Sequence, residues 1–472
     1  MKKTTILAVT ACLSVFSCSK KEGATAPSAD SGKTSLGSIP GPEFSGSSFN
    51  SWDPADATTA YNAFNTACYN PTTKLYYSTT LKDNIAAIWT NAIFWDMAMD
   101  AYTRTRTSAA LTRVNDMYTG GYNQYDHYNW NNTTVWFIYD DMMWWVMSLA
   151  RANQITGNAT YLTTAQAGFD RVWNGSYDAT GGGMFWDFNH SGKNSCINFP
   201  TVIAAMRLYT ITGNSAYLTK AQNIYTWAKA NLTNTTTGQV YDNKIGSNPP
   251  GGQAYTYNAG TAIGAAYALY KQSGNSAYLS DATRYADYVK NNLCNAQGIL
   301  PAEGDFNEQG VMKAIFADYI MQLINEGKQT QYLSWIQTNV DTGWANRDAS
   351  RNLTYRNYAV PCPTGYIQTY EACSLVAFMQ LYPGVTFYQN TLYGGTVTGT
   401  IPKGNYTLSQ LTPYGFVNDW ASSAKVPQGW TVTMYKDDNF TGQAWTLPSG
   451  DTPHFPNLTP TANDLVTSVK IQ

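Results

Sequence analysis

The sequence predicts a multidomain protein in which an all-α (α/α)6 barrel precedes a small all-β domain. Two observations support this prediction: a helix-pair repeat in the middle of the chain and a change to short β-rich runs near its end. The length of 472 residues agrees with more than one domain, because an ordinary domain holds about 100–200 residues.

The repeat consists of a Gly-Asn pair followed by Tyr-Leu, and it occurs three times, at residues 155–162, 211–218 and 272–279. Each copy lies between two helical stretches, where the glycine is expected to end one helix and Tyr-Leu to open the next. Residues 50–381 have room for about six such helix pairs. Six pairs can close into a ring, with inner helices that are apolar all round and outer helices that are amphipathic.

Residues 1–18 are predicted to be a signal peptide. Lys2 and Lys3 precede an apolar run over residues 4–16, which is too short to span a bilayer as a stable helix. The run leads to Cys18, and this junction resembles a bacterial lipobox, where cleavage precedes a cysteine that is then acylated. The alternative is an ordinary secretory signal.

Composition marks the other boundaries. Residues 19–47 are rich in Ser, Gly, Pro, Ala and Thr, so we expect a flexible tether. The barrel is expected over residues 48–382. Beyond Gly384, β-rich runs separated by turn residues predict an all-β domain over residues 385–472.

The charge balance argues against nucleic acid as a partner. Lys and Arg number 29 against 31 for Asp and Glu, which leaves no surplus of positive charge to neutralise phosphates. A chain with 14% aromatic and only 13% charged residues is not disordered. A surface rich in Tyr, Trp, Asn and Thr suits neutral ligands rich in hydroxyls, such as sugars.

Two adjacent aspartates, Asp140 and Asp141, interrupt an otherwise apolar stretch over residues 135–147. Burying carboxylates is costly unless they are paired, hydrogen-bonded or open to a cavity, and adjacent carboxylates push their pKa values apart. One protonated carboxyl beside one carboxylate is what glycosidic bond cleavage requires, and adjacency fits the ~5–5.5 Å separation of retaining enzymes. The alternative is a pair that caps a helix or binds arginine.

Several motifs occur in a characteristic order, at residues 140–145, 181–186, 193–198, 255–260 and 312–316, together with the Gly-Asn repeats. In this combination residues 50–381 resemble glycoside hydrolase family 76, the endo-acting α-1,6-mannanases. The resemblance implies a retaining mechanism without a catalytic cofactor, in which Asp140 is the nucleophile and Asp141 the general acid/base. Ala314 and residues 198–200 depart from the family pattern, which concerns the sugar subsites more than the chemistry.

Further polar and aromatic residues in and near these motifs are candidates for contacts with sugar rings or hydroxyls: Trp95, Asp96, Trp186, Asn194, Asn198, Tyr257 and Asn258. The alternative for the aromatic residues is packing in the core. Asp96 and Asp100 lie four residues apart on one helix face, and their alternative is a structural polar network.

The C-terminal region contains a second repeat. An aromatic-Gly pattern at residues 388–395 recurs at 435–442, and an Asn-Asp-x-x-Ser/Thr-Ser loop follows each copy. This pattern resembles a βγ-crystallin double Greek key, and the resemblance implies Ca²⁺, which takes oxygen ligands from such loops. The implied ligands are Asn418, Asp419, Ser422, Asn463, Asp464 and Thr467. The alternative is a crystallin-like module without calcium.

Taken together, the sequence predicts a monomeric exported bacterial lipoprotein on the outer membrane or cell surface, or a secreted or periplasmic protein if the lipobox is not used. Its expected partners are α-mannan polysaccharide or oligosaccharide and, through Cys18, the membrane. The alternative function is a catalytically weak mannan-binding surface lipoprotein on the same scaffold. An (α/α)6 epimerase or lyase would need His, Arg or Tyr bases in its loops, and the sequence offers few.

Overall fold

A computed structural model describes residues 54–304, 307–427 and 429–472. The predicted signal peptide, the tether and Cys18 lie outside these residues. Within them, the longer helices are α1 (Pro54–Cys68), α2 (Ile88–Thr105), α3 (Ser108–Gln124), α4 (Tyr139–Thr156), α5 (Ala159–Ser176), α6 (Ser195–Thr212), α7 (Ser215–Leu232), α8 (Thr256–Ser273), α9 (Ser276–Tyr288), α10 (Met312–Asn325), α11 (Leu333–Ala345) and α12 (Thr369–Gln380).

The even-numbered helices form a closed inner ring. Each packs against the next in chain order, and α12 packs against both α10 and α2, which closes the ring. The odd-numbered helices lie outside, and α1 at the start of the barrel packs against α12 at its end. Inner helices such as α6 are buried on nearly every face, whereas α5 buries one side only. The predicted (α/α)6 barrel is therefore confirmed.

The Gly-Asn repeats act as paired helix caps. Gly157, Gly213 and Gly274 end inner helices with φ values of 71°, 68° and 68°, a left-handed conformation that glycine adopts without strain. The asparagine that follows each glycine is the N-cap of the next helix; Asn158, for example, accepts a hydrogen bond of 2.9 Å from the backbone of Thr160. Each repeat therefore reverses the chain from an inner to an outer helix.

Two short antiparallel strand pairs lie in the loops of the barrel, and seven further strands form the C-terminal region. The first pair is the hairpin of β1 (Tyr69–Asn70) and β2 (Leu75–Tyr76), and the second joins β3 (Lys193–Asn194), before α6, to β4 (Asn243–Lys244), after α7. The later strands are β5 (Thr386–Tyr388), β6 (Gly404–Tyr406), β7 (Ser423–Val426), β8 (Val432–Asp437), β9 (Thr441–Leu447), β10 (Gly450–Thr452) and β11 (Ser468–Ile471), with a short helix, α13 (Leu408–Leu411), between β6 and β7.

The C-terminal strands form two sheets that exchange one strand each. One sheet has the antiparallel order β10-β7-β5 and the other the order β6-β11-β8-β9. Strand β6 of the first half thus completes the sheet of the second half, and β10 does the reverse. The exchange generates two related Greek keys around one hydrophobic core that includes Phe387, Met434 and Val469, as the sequence predicts.

The β region contacts the end of the barrel where the inner helices terminate. The backbone N–H of Thr400 donates a hydrogen bond of 2.9 Å to the carbonyl of Arg104, which lies in the last turn of α2. A cavity of about 970 Å³, lined by Arg151, Lys271 and Lys425 among others, lies between the two parts. In the described part of the chain, we find no helix with the length and hydropathy needed to cross a bilayer.

Candidate active site

The two adjacent aspartates lie at the other end of the barrel, where the inner helices begin. The chain enters α4 in extended conformation at Ile138, and Asp140 and Asp141 follow in its first turn. The partial positive charge of a helix N-terminus favours carboxylates at this position. Each residue keeps 9% of its surface exposed. The pair is therefore held within the barrel but not sealed from solvent.

Asp140 is anchored by three neighbours. The indole N–H of Trp144 donates a hydrogen bond of 2.9 Å to the carboxylate of Asp140. The backbone N–H of Asp140 donates to the carbonyl of Trp186 at 3.2 Å. Burial raises the pKa of Asp140 to about 7; hydrogen bonds from Cys196 and Trp144 oppose this shift, and the charge of Asp242 adds to it. Its protonation therefore changes near neutral pH.

Asp141 holds its proton more strongly than Asp140. Burial raises its pKa well above the usual range, and the neighbouring charges of Asp140 and Glu308 raise it further. Two carboxylates this close do not both ionise easily, so the second proton is retained to higher pH. The arrangement provides one carboxylate and one protonated carboxyl side by side, as glycosidic bond cleavage requires.

Sequence reasoning missed Glu308, which comes from a different loop. Glu308 lies in a short 3₁₀-helix, Asn307–Val311, immediately before α10. Its carboxylate accepts a hydrogen bond of 2.5 Å from the indole of Trp89, and this indole packs beside that of Trp144 with ring centres 5.9 Å apart. The signal in the sequence was its position just before the family motif at residues 312–316.

Sequence reasoning also missed Asp242. Its contacts account for the positions of two residues that were predicted to contact sugar, Tyr257 and Asn258. The side-chain amide of Asn258 donates to the Asp242 carboxylate at 3.0 Å, and the hydroxyl of Tyr257 approaches the same oxygen at 3.5 Å. Tyr257 and Asn258 are both buried. From the start of α8, Tyr257 and Asn258 therefore position Asp242 beside the aspartate pair. Trp186 is half-buried and lies next to Asp140.

The structure corrects the expectation that Trp95 and Asn198 contact sugar. Trp95 has no exposed surface, and its indole N–H donates to the carbonyl of Val114 at 2.8 Å. Asn198 is also fully buried and bonds both backbone groups of Met184, accepting from its N–H at 2.8 Å and donating to its carbonyl at 3.0 Å. Both residues support the site from within. Asn194 is largely buried at the N-cap of α6.

Asp96 belongs to an ion-pair network rather than to the site around Asp140 and Asp141. It lies in the middle of α2, where it accepts a hydrogen bond of 3.2 Å from Ser148 and pairs with Arg151 at 3.4 Å. Arg151 also pairs with Asp100 and, at 3.9 Å, with Asp318. This network matches the structural alternative, and it stands on the side of the barrel that faces the 970 Å³ cavity.

In the β region, the two Asn-Asp loops lie against each other in a reciprocal arrangement. The Ser422 hydroxyl donates to the Asp464 carboxylate at 3.2 Å, while the backbone N–H of Asp419 donates to the carbonyl of Val466 at 3.3 Å. Both aspartates have left-handed backbones, with φ values of 52° and 53°. The side-chain oxygen of Asn463 is buried without a hydrogen-bond partner among the described residues, which fits a site for an oxygen-seeking cation.

Known proteins are similar to the barrel of this chain. An α-1,6-mannanase from Salegentibacter sp. is 26% identical over 70% of this chain and 98% of its own, with a TM-score of 0.64, and an inactive variant of it was solved with α-1,6-mannotriose. A mannan endo-1,6-α-mannosidase from Eremothecium gossypii is 24% identical over 47% of this chain; the chain spans 55% of that relative.

Two further proteins are similar to short parts of the chain, the second of them to its C-terminal part. Development-specific protein S from Myxococcus xanthus is 44% identical over 62 residues, which is 33% of its length. A βγ-crystallin domain from Clostridium beijerinckii is 51% identical over 19% of this chain and 97% of its own, with a TM-score of 0.18.

For the barrel, the model of glycosyl hydrolase family 76 matches residues 51–382. The chain therefore belongs to glycosyl hydrolase family 76.

Proposed function

We propose that the protein is an endo-acting retaining glycosidase that hydrolyses α-1,6-mannosidic linkages in mannan backbones. The carrying observation is the pair formed by Asp140 and Asp141 at the end of the barrel where the inner helices begin, where two adjacent carboxyls differ in proton affinity. The activity named for the Salegentibacter and Eremothecium proteins supports the same substrate class. Catalysis uses these side chains and needs no cofactor.

The roles of the two aspartates follow from their proton affinities. Asp140, which ionises first, attacks the anomeric carbon and forms a glycosyl ester while the bond to the leaving oxygen breaks. Asp141 donates its proton to that oxygen. In the second step the Asp141 carboxylate takes a proton from water, and this water attacks the anomeric carbon and releases Asp140. Two inversions leave the configuration of the sugar unchanged.

The test is hydrolysis of linear α-1,6-mannan by three matched variants. Asp140→Asn and Asp141→Asn each keep the shape of the side chain but remove its acid–base chemistry, so each should lose at least about 100-fold in kcat. Asp83→Asn, at an exposed site, is the control and should keep wild-type turnover. Wild-type-like activity in either active-site variant would remove the assignment.

Two further measurements test the endo-acting and retaining parts of the proposal. Early products should be oligosaccharides of several lengths, whereas a chain-end enzyme releases one product. Proton NMR during the first minutes of reaction should show the α-anomer before mutarotation, and an initial β-anomer would contradict retention. Tight mannan binding without new reducing ends would instead favour the catalytically weak mannan-binding lipoprotein.

For the β region, we propose that the two reciprocal loops hold Ca²⁺. Asn418, Asp419 and Thr467 would form one set of ligands and Asn463, Asp464 and Ser422 the other, because the structure pairs each loop with its counterpart. Carboxylate, amide and hydroxyl oxygens are the donors that this cation prefers. The ion would tie the two Greek keys together, so that its binding stabilises the native state.

Calorimetric titration of the full chain with Ca²⁺ tests this proposal. Wild-type protein should bind calcium, and Asp419→Ala and Asp464→Ala should each weaken binding. Asp451→Ala, at an exposed site of the same region, is the matched control and should bind like wild type. Absence of any calcium-dependent heat in chelator-treated wild-type protein would contradict the proposal, as would equal binding by all four proteins.

We also propose that the protein is exported and anchored through a lipid on Cys18, with the expected location at the outer membrane or cell surface. The support is the sequence of residues 1–18 alone. Cys18→Ala should move the protein from the membrane fraction to the soluble fraction of the cells, without labelling by a radioactive fatty acid. Labelling that persists in the variant would contradict the assignment of this residue.

A further inference from the structure

The carboxylate of Asp140 is linked by contacts to a segment that precedes the inner helix on the far side of the ring. The indole of Trp144, which donates to Asp140, packs beside the indole of Trp89 with ring centres 5.9 Å apart. The indole N–H of Trp89 donates in turn to the carboxylate of Glu308 at 2.5 Å. Glu308 precedes α10, which lies three places from α4 in the ring of inner helices. The contacts therefore lead from the start of α10 through α2 to α4.

The segment that carries Glu308 is fixed relative to the start of α2. A Cβ at Gly310 would lie 2.9 Å from the backbone of Tyr370, so the two backbones pack closely at the start of α12. The Tyr370 hydroxyl also accepts a hydrogen bond of 3.0 Å from the backbone N–H of Ala87, which immediately precedes α2. One residue of α12 therefore contacts both the segment of Glu308 and the helix start that carries Trp89.

The start of α2 is also fixed relative to α4. The indole N–H of Trp145 donates to the carbonyl of Ile88 at 2.8 Å, which holds the first turn of α2 against α4. Trp89 follows Ile88 in α2, and Trp144 precedes Trp145 in α4. Because both backbones are held, the orientation of the Trp89 ring determines the surface against which the Trp144 ring packs.

The hydrogen bond to Glu308 sets the orientation of the Trp89 ring. Trp89 is only half-buried, so core packing does not enclose its indole on every side. A carboxylate holds an N–H donor more strongly than a neutral acceptor does. Trp144 is 2% exposed, and its ring therefore has to follow the surface that Trp89 presents.

We propose that Glu308 is a positioning residue for Asp140 and acts through the indoles of Trp89 and Trp144. By holding Trp89, Glu308 sets the packing of Trp144 and thus the direction from which the Trp144 N–H meets the Asp140 carboxylate. This inference rests on the proposed glycosidase function, in which that carboxylate has to be aimed at the anomeric carbon, and small errors in such alignment are costly in rate.

The first test needs no substrate and follows the indole N–H resonances of the full chain by ¹⁵N NMR, with Trp89→Phe and Trp144→Phe to assign two of them. Glu308→Leu keeps the bulk of the side chain but removes the acceptor, so it should shift the signals of both indoles. The Trp335 indole, which donates to the carbonyl of Gly298, is the internal control and should not move. A shift of the Trp89 signal alone would overturn the inference.

Turnover of linear α-1,6-mannan supplies the second test. Glu308→Leu should lower kcat by about tenfold and leave KM nearly unchanged, because a misaligned nucleophile affects the reaction more than it affects binding. In the Trp144→Phe background the same substitution should have almost no further effect, since its route to Asp140 is already interrupted. A raised KM with unchanged kcat, or equal effects of Glu308→Leu in the two backgrounds, would overturn the inference.

Glu308→Gln retains an oxygen that can accept from Trp89, so its indole signals and kcat should stay closer to wild type than those of Glu308→Leu. If Glu308→Leu fails to fold, Trp89→Phe interrupts the contacts at the next residue and should shift the Trp144 signal and lower kcat in the same way. An inactive wild type with the expected indole shifts would remove the proposed function alone. An active wild type whose Trp144 signal ignores both substitutions would remove this inference alone.

Discussion

The indole N–H of Trp144 donates a hydrogen bond of 2.9 Å to the carboxylate of Asp140, one helical turn earlier in α4. This bond stabilises the ionised form of Asp140 and opposes the effect of burial on its pKa. The neighbouring Trp145 instead donates to the carbonyl of Ile88 at 2.8 Å. Of these two adjacent tryptophans, Trp144 therefore binds the candidate site and Trp145 binds the core.

Trp144→Phe should move the acidic limb of the pH–rate profile to higher pH. Without the indole donor, the carboxylate of Asp140 is less stable, and activity below neutral pH should fall by roughly tenfold. The matched control is Trp145→Phe, which should reduce thermal stability without moving the limb. Identical pH–rate profiles for the two variants would contradict the role of Trp144.

Asp140→Asn should stabilise the folded protein at alkaline pH. The pKa of Asp140 is about 7 in the folded state and about 3.9 in an unfolded chain. Between pH ~4 and pH 7, Asp140 keeps a proton in the folded state that it has lost in the unfolded chain. The stability that this proton contributes is therefore fully present below pH ~4 and is lost as the pH rises through 7. The asparagine cannot ionise and escapes this loss.

Urea unfolding at pH 5 and pH 8 measures this effect. Asp140→Asn should gain on the order of 1 kcal/mol or more relative to wild type at pH 8 and much less at pH 5. Asp83→Asn, at an exposed site, should show no such difference. A variant that is less stable than wild type at pH 8 would show that ionised Asp140 has stabilising partners.

Trp186→Ala should weaken substrate binding, whereas Trp95→Ala should lower the stability of the fold. Trp186 is half-buried beside Asp140, so its loss should raise KM for mannan oligosaccharides by about tenfold with little change in melting temperature. Trp95 is fully buried, and its loss should lower the free energy of unfolding by about 3–5 kcal/mol. A raised KM in folded Trp95→Ala and an unchanged KM in Trp186→Ala would reverse the two assignments.

Arg151→Met should destabilise the barrel by about 3–5 kcal/mol, because it leaves Asp96 and Asp100 buried without their cation. Denaturant unfolding at neutral pH measures the loss. Lys271→Met is the matched control, since its pair with Glu326 is exposed and contributes at most about 1 kcal/mol. Similar losses in both variants would contradict the buried network.

The residues predicted correctly are those whose role is set by neighbours in the chain. A glycine that ends a helix acts through its own backbone, as at Gly157. The next helix begins at Ala159, two residues before the predicted Tyr-Leu pair, because Asn158 caps it. The double Greek key likewise follows from two similar halves in the sequence. Catalytic roles for Asp140 and Asp141 stay predictions; the structure shows both in the first turn of α4.

Other assignments depended on how deep in the barrel a residue lies and on where its side chain points. The sequence of a uniformly apolar helix reveals neither. Asp96 is the ninth residue of α2 whereas Asp140 is the second of α4, so at 1.5 Å per residue Asp96 lies about 10 Å deeper. Trp95 sits on a helix whose faces are all covered, and only packing decided that its indole points into the core.

The sequence by itself determined the helix pairs, the order of the two regions and the position of the aspartate pair, because caps, periodicity and adjacency are local properties. Tertiary structure alone decided which carboxyls share the site: Asp242 and Glu308 are separated from Asp140 by about 100 and 170 positions in the chain. They meet it because closing a ring of helices gathers the loops at one end, and no local pattern encodes that closure.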